Sequence, residues 1–95
     1  MAKGYWIAHV RVDDVEPYGL YATGATEAFK KYGGRPLARG GIVVSLEGTE
    51  RPRNVVIEFD SVDAALRCYH SPEYQAARSL RVGHAVGDIM IIEGC

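Results

Sequence analysis

The chain reads as an α+β fold built on one antiparallel sheet, and two observations predict it. Four short strand-like runs, Tyr5–Val12, Pro36–Leu46, Val55–Phe59 and Ile89–Ile92, flank two amphipathic helical stretches in the order β-α-β-β-α-β. That order within 95 residues points to a split βαβ, ferredoxin-like domain, one domain spanning residues 1–95. The second observation concerns burial. Several strands are apolar on both faces, yet two helical layers on one side cover only one face of a sheet. The other face needs a second subunit, so the expected assembly is a homodimer.

The first strand alternates. Trp6, Ala8, Val10 and Val12 share one side and should face the helices. Tyr5, Ile7, His9 and Arg11 share the other, which should face a partner or a cavity. The first helix follows Asp13-Asp14, whose charges suit a positive helix end, and Pro17 is tolerated in the first turn. Tyr18, Tyr21, Ala25, Ala28, Phe29 and Tyr32 recur at steps of three or four and form its apolar stripe. Gly33-Gly34 stops it. Gly19 and Gly24 lie inside, each weakening the helix by ~1 kcal/mol relative to alanine. Either another backbone approaches there, or tertiary packing carries the helix.

The second strand contains Gly40-Gly41, which divides it into Pro36–Arg39 and Ile42–Leu46. The charged segment Glu47–Pro52 then closes a hairpin onto the third strand. There Arg53, Val55, Ile57 and Phe59 share the helix-facing side; Asn54, Val56, Glu58 and Asp60 share the other. Ser61 is a good N-cap for the second helix, with Val62, Ala65, Leu66 and Tyr69 as its stripe. His70-Ser71-Pro72 breaks that helix and opens a third, Pro72–Arg81, which Gly83 ends. His84–Asp88 reads as loop before the last strand. Right-handed crossovers then give the strand order 4-1-3-2 with the helices on one face. The fourth strand is an edge, and Ile89-Met90-Ile91-Ile92 left bare there is an aggregation hazard that dimerisation removes.

Eleven basic residues face twelve acidic ones, a net charge of −1, which gives no electrostatic reason to bind nucleic acid or an anionic membrane. No apolar run approaches the ~20 residues that span a bilayer. Met1-Ala2-Lys3-Gly4 runs straight into the first strand, so the expectation is no signal peptide and a cytoplasmic location. Cys68 and Cys95 have neither a disulfide framework nor metal-ligand spacing. His9, His70 and His84 lie on different elements, so no metal site is expected, and nothing specifies a cofactor.

Three segments together resemble one family of small bacterial proteins of unknown function, DUF1330. They are Lys3–Val10, Lys31–Gly41 and Tyr69–Arg78, and the likeness extends over almost the whole chain. The resemblance implies membership of the dimeric α+β barrel superfamily, in which two ferredoxin-like domains pack their open sheet faces together with helices outside. Relatives in that superfamily include cofactor-free monooxygenases, haem-degrading enzymes, muconolactone isomerases and ligand-sensing modules. Fold analogy does not choose among them.

The residues themselves suggest a small pocket for an organic acid in each subunit. A ligand-sensing module or a purely structural dimer is the alternative. His9, mid-strand on the less apolar face, is the candidate general base, and Glu58 on the adjoining strand is its orienting carboxylate. Arg39, just before the glycine pair, is the candidate anion clamp. Tyr21 and Tyr69 are candidate pocket hydroxyls, because a tyrosine under a helix needs a partner. Against each stands a structural role: interface hydrogen bonds for His9, ion pairs for Glu58 and Arg39, and core packing for the tyrosines.

Overall fold

The computed structural model describes residues 2–95. Its elements are β1 (Gly4–Val12), α1 (Val15–Lys31), β2 (Arg35–Arg39), β3 (Arg53–Phe59), α2 (Val62–Tyr69), α3 (Pro72–Arg81) and β4 (Ala85–Glu93). The sheet is antiparallel in the order β2-β3-β1-β4, which is the expected order read from the other edge. This is a ferredoxin-like α+β arrangement. No helix is long and apolar enough to cross a membrane.

Local chemistry sets the helix ends. Ser61 Oγ accepts from the Ala64 amide at 3.0 Å and Ser71 Oγ from the Tyr74 amide at 3.1 Å, so both expected caps form. Ser71 Oγ also donates to the Cys68 carbonyl at 2.6 Å, which ties the end of α2 to the start of α3. The first helix has no side-chain cap at Asp14; the segment before it is anchored instead. The Asp13 and Asp14 amides donate to the His84 carbonyl at 2.9 and 3.0 Å, and the Asp14 carboxylate meets His84 Nδ1 at 2.9 Å. The turn before β4 thereby holds the entry to α1.

Strand parity places the core. Trp6, Ala8 and Val10 of β1 and Ile57 and Phe59 of β3 are buried under the helices, as their alternation predicts. Trp6 is the hub: its ring centroid lies 5.1 Å from Phe29, 5.7 Å from Tyr69 and 4.9 Å from Tyr74. Complete burial of a side chain of this kind contributes roughly 1.5–3 kcal/mol. Of the two glycines inside α1, Gly24 faces Ala77 of α3, where an added Cβ would sit 2.9 Å from the Ala77 Cβ. Around Gly19 an added Cβ would meet nothing within 4 Å. Close approach therefore explains one glycine and not the other.

Three expectations need correction. The second strand ends at Arg39; Ile42–Leu46 is not a strand, and Ile42 is 99% exposed. Gly40, at φ 75°, turns the chain away from the sheet as its type predicts, and the segment beyond finds no strand to pair with. The fourth strand is longer than expected, because Ala85–Asp88 pairs with Val12–His9 of β1. On α2 the buried residues are Ala64, Ala65 and Cys68. Leu66 is exposed and Val62 and Tyr69 are only half-buried, so the small residues make the contact and the helix sits close to the sheet.

Candidate functional site

The open face of the sheet carries two of the five residues the sequence offers for chemistry, His9 and Glu58, but it separates them. His9 and Glu58 do share that face, as parity requires. The register, however, sets Tyr5 opposite Glu58 and Asn54 opposite His9. The two positions are four residues apart along the strands, about 13 Å. His9 Nδ1 hydrogen-bonds Asn54 Oδ1, and Asn54 in turn donates to the Arg51 carbonyl at 2.8 Å. Glu58 accepts from Arg35 at 3.0 and 3.1 Å and from the Tyr5 hydroxyl at 3.2 Å. The Arg35 hydrogen bonds hold the Glu58 carboxyl below its ordinary pKa against the cost of burial. Glu58 thus belongs to an ion-pair network with Arg35, Asp60 and Lys3, and it does not orient His9.

Arg39 is on neither residue's side of the sheet. Arg35 pairs with Glu58 and Pro36 with Ile57, but Ala38 pairs with Val56 and Arg39 with Val55. A bulge between Pro36 and Ala38 inserts one residue and reverses parity. The Arg39 side chain therefore joins the helix-facing side, where it lines a narrow slot beneath α1. The expected convergence of His9, Glu58 and Arg39 does not occur.

A different group of residues comes together between the helices and the β4 edge. There a cleft of about 480 Å³ opens. Ile89, Ile91 and Gly87 of β4 and Leu66 of α2 give it apolar walls. Tyr69, His70, Arg78 and Arg81 supply its polar groups. Tyr69 and His70 come from the α2–α3 break, where Ser71 and Pro72 restart the helix, and Arg78 and Arg81 from the last turns of α3. Tyr69 was expected in a pocket and lines this one. His70 packs its ring edge-on against Tyr69 at 5.2 Å.

The electrostatics of the cleft are one-sided. Among the described residues, neither Arg78 nor Arg81 has a carboxylate within 4 Å. Arg81 lies with its guanidinium carbon 5.0 Å from the Tyr21 ring centroid, and its Nε is buried without a hydrogen-bond partner. Burial opposes its charge, but the nearby Tyr74 and Tyr21 hydroxyls outweigh that effect and its pKa rises. Tyr21 does not line this cleft. It sits behind Arg81, and its hydroxyl meets that of Tyr74 at 2.9 Å. Burial, then the neighbouring Tyr74, pushes the Tyr21 phenol well above its ordinary pKa, so it stays neutral. The guanidinium packs against the buried phenols and, among the described residues, has no carboxylate partner.

Sequence inspection missed Arg78 and Arg81 as site residues because they occur in the last turns of a helix, where basic residues are ordinarily read as matched to the helix dipole. One signal was present: Tyr69, Arg78 and Arg81 flank the Ser71-Pro72 break, with no acidic residue between Gln75 and Gly87. Among the described residues, no group of three or more His, Cys, Asp or Glu side chains is arranged to hold a metal ion.

Fold and cleft together define a small ferredoxin-like α+β protein with an arginine-bearing pocket on the helix side of its sheet. The chain belongs to the family described as domain of unknown function DUF1330, whose model matches residues 3–95. No curated protein matches it. Among solved structures it is similar to the RPA0582 protein of unknown function from Rhodopseudomonas palustris, with 19% identity and a TM-score of 0.79, over 99% of this chain and 83% of that one. It is also similar to a dimeric protein of unknown function and ferredoxin-like fold from Bacteroides fragilis, with 17% identity and a TM-score of 0.58, over 96% and 95% of the two chains. SnoaB, a cofactor-independent oxygenase from Streptomyces nogalater, matches at 8% identity and a TM-score of 0.60, over 97% and 92%. At these identities the likeness is one of fold.

Proposed function

We propose that the protein is a homodimer of single-domain subunits, each of which binds a small organic anion in the cleft between α2, α3 and β4. The observation that carries the binding reading is the pair of guanidiniums, Arg78 and Arg81, without carboxylate partners beside an apolar wall. A cleft of about 480 Å³ falls within the ~300–1,000 Å³ range of small-molecule sites. A guanidinium grips a planar carboxylate through two parallel N–H donors, and Ile89, Ile91 and Leu66 suit a hydrocarbon body. His70 at the rim adds an imidazole that can donate or accept a hydrogen bond.

The dimer reading rests on the open face. Ile7 pairs with Val56 on one side and Met90 on the other, and Ile92 lies beside Tyr5. Met90 and Ile92 are each about half exposed. Polar clusters bracket this apolar centre: Arg35, Glu58 and Asp60 at one end, His9, Asn54, Arg51 and Asp88 at the other. Such a face suits an interface with an apolar middle and a polar rim. The dimeric Bacteroides fragilis neighbour supports the same reading. The two free thiols, Cys68 and Cys95, suit a reducing compartment such as the cytoplasm.

The test is a panel of small aliphatic and aromatic carboxylates titrated by calorimetry, with native mass spectrometry reporting any ligand that copurifies. Saturable binding that Arg78→Gln weakens roughly tenfold supports the reading. A panel with no binder, or binding that Arg78→Gln leaves unchanged, overturns it. For the dimer, sedimentation should give twice the chain mass, and Ile7→Asp should dissociate or unfold it. A folded monomer at micromolar concentration refutes that part.

A further inference from the structure

The slot beneath α1 is separate from the cleft and has its own pair of guanidiniums. Arg39, from the end of β2, and Arg53, from the start of β3, both line it. Its walls are aromatic, formed by Trp6, Tyr18, Tyr21 and Phe29. The Arg53 guanidinium carbon lies 5.3 Å from the Tyr18 ring centroid. Arg53 Nε is buried with no hydrogen-bond partner, and among the described residues neither arginine has a carboxylate within 4 Å. A buried guanidinium donor without an acceptor is costly unless something brings one.

The bulge in β2 makes this pairing possible. It turns Arg39 to the helix side opposite Val55, two residues along from Arg53. No helix packs extensively on β2, so the slot opens at the sheet edge, with Arg39 at its rim and the buried Trp6 at its floor. Its volume is about 40 Å³, against about 480 Å³ for the cleft. A carboxylate with one or two carbons fits that space, and a bulkier acid does not.

We infer that the slot is a second anion site, specific for a short carboxylate held between Arg39 and Arg53 against the Trp6–Phe29 wall. The small volume excludes the larger acids that the cleft accommodates. The Tyr21 ring stands between the two sites, with Arg81 stacked on it and the slot beyond.

The experiment is an acetate titration followed by NMR at the Arg53 Nε–H and at the indole N–H of Trp6, the single tryptophan. Both signals should shift saturably with acetate, and acetamide, the neutral analogue of similar size, should leave them in place. Arg53→Gln and Arg39→Gln should each weaken binding roughly tenfold, read at the Trp6 signal. Arg39 is exposed, so its variant reports even if Arg53→Gln disturbs the fold. Arg78→Gln, in the cleft, should leave acetate binding intact. The inference is overturned by a linear, unsaturable shift, by equal responses to acetate and acetamide, or by an Arg39→Gln protein that binds as the parent does. Loss of binding in Arg78→Gln alone would assign acetate to the cleft and also overturn it.

Discussion

The two glycines of α1 should respond to alanine with opposite signs. Both replacements gain the same intrinsic helix propensity, about 1 kcal/mol. At Gly19 an added Cβ meets nothing within 4 Å, so Gly19→Ala should keep the whole gain and stabilise by about 1 kcal/mol. At Gly24 the added Cβ would lie 2.9 Å from the Ala77 Cβ, against about 3.5–4.0 Å for a relaxed carbon contact. Ala77 has no rotamer to move, so α1 and α3 must separate by roughly 0.6–1 Å. Overpacking of this kind costs about 1–3 kcal/mol, which cancels or exceeds the propensity gain. The difference between the two variants is then the packing term alone, about 1–3 kcal/mol. For a chain of this size each kcal/mol moves the melting temperature by about 4–8 °C. Thermal unfolding followed by circular dichroism, at one fixed protein concentration, should rank Gly19→Ala above the parent and at least about 4 °C above Gly24→Ala. Removing the Ala77 methyl in the Gly24→Ala background should recover part of the loss. Equal melting temperatures for the two single variants would refute the close approach of α1 and α3. That contact matters to the site, because it sets Tyr21 against Tyr74 and Arg81.

Two other perturbations read the surroundings of the site. Burial pushes the Cys68 thiol up to about 12, while Cys95 is exposed, so a thiol reagent at pH 8 should modify Cys95 rapidly and Cys68 only as fast as the chain opens; equal rates in the native protein would contradict the packing of α2. The Glu58 carboxyl is held below its ordinary pKa by Arg35, so its contribution is fully present above the unfolded carboxylate value and is lost as pH falls through the lower folded one. Arg35→Gln should therefore flatten the decline of stability with acid below about pH 4.5, measured by urea unfolding between pH 3 and 6, and an unchanged slope would count against the Arg35–Glu58 pair.

Local rules written along the chain were enough for the strand order, the helix-facing residues of β1 and β3, the caps at Ser61 and Ser71, and the turn at Gly40. Each depends on periodicity or on a residue's own backbone preference, and neither needs a distant partner. The positions of the candidate site residues were legible only in part. Tyr69 in a pocket and Tyr21 as a buried hydroxyl follow from helical spacing, whereas the arginines that line the cleft do not. Arg39 was misdirected because a single bulged residue before Ala38 reverses parity, and no residue type announces it. His9 and Glu58 share a face, but register, a long-range property, holds them four positions apart and gives each another partner. Arg78 and Arg81 look like ordinary helix-end charges until α3 is laid beside β4 and their carboxylate-free surroundings can be seen. Periodicity fixes which side of an element a residue occupies; which residues from distant elements meet there depends on register and on how the helices are laid across the sheet.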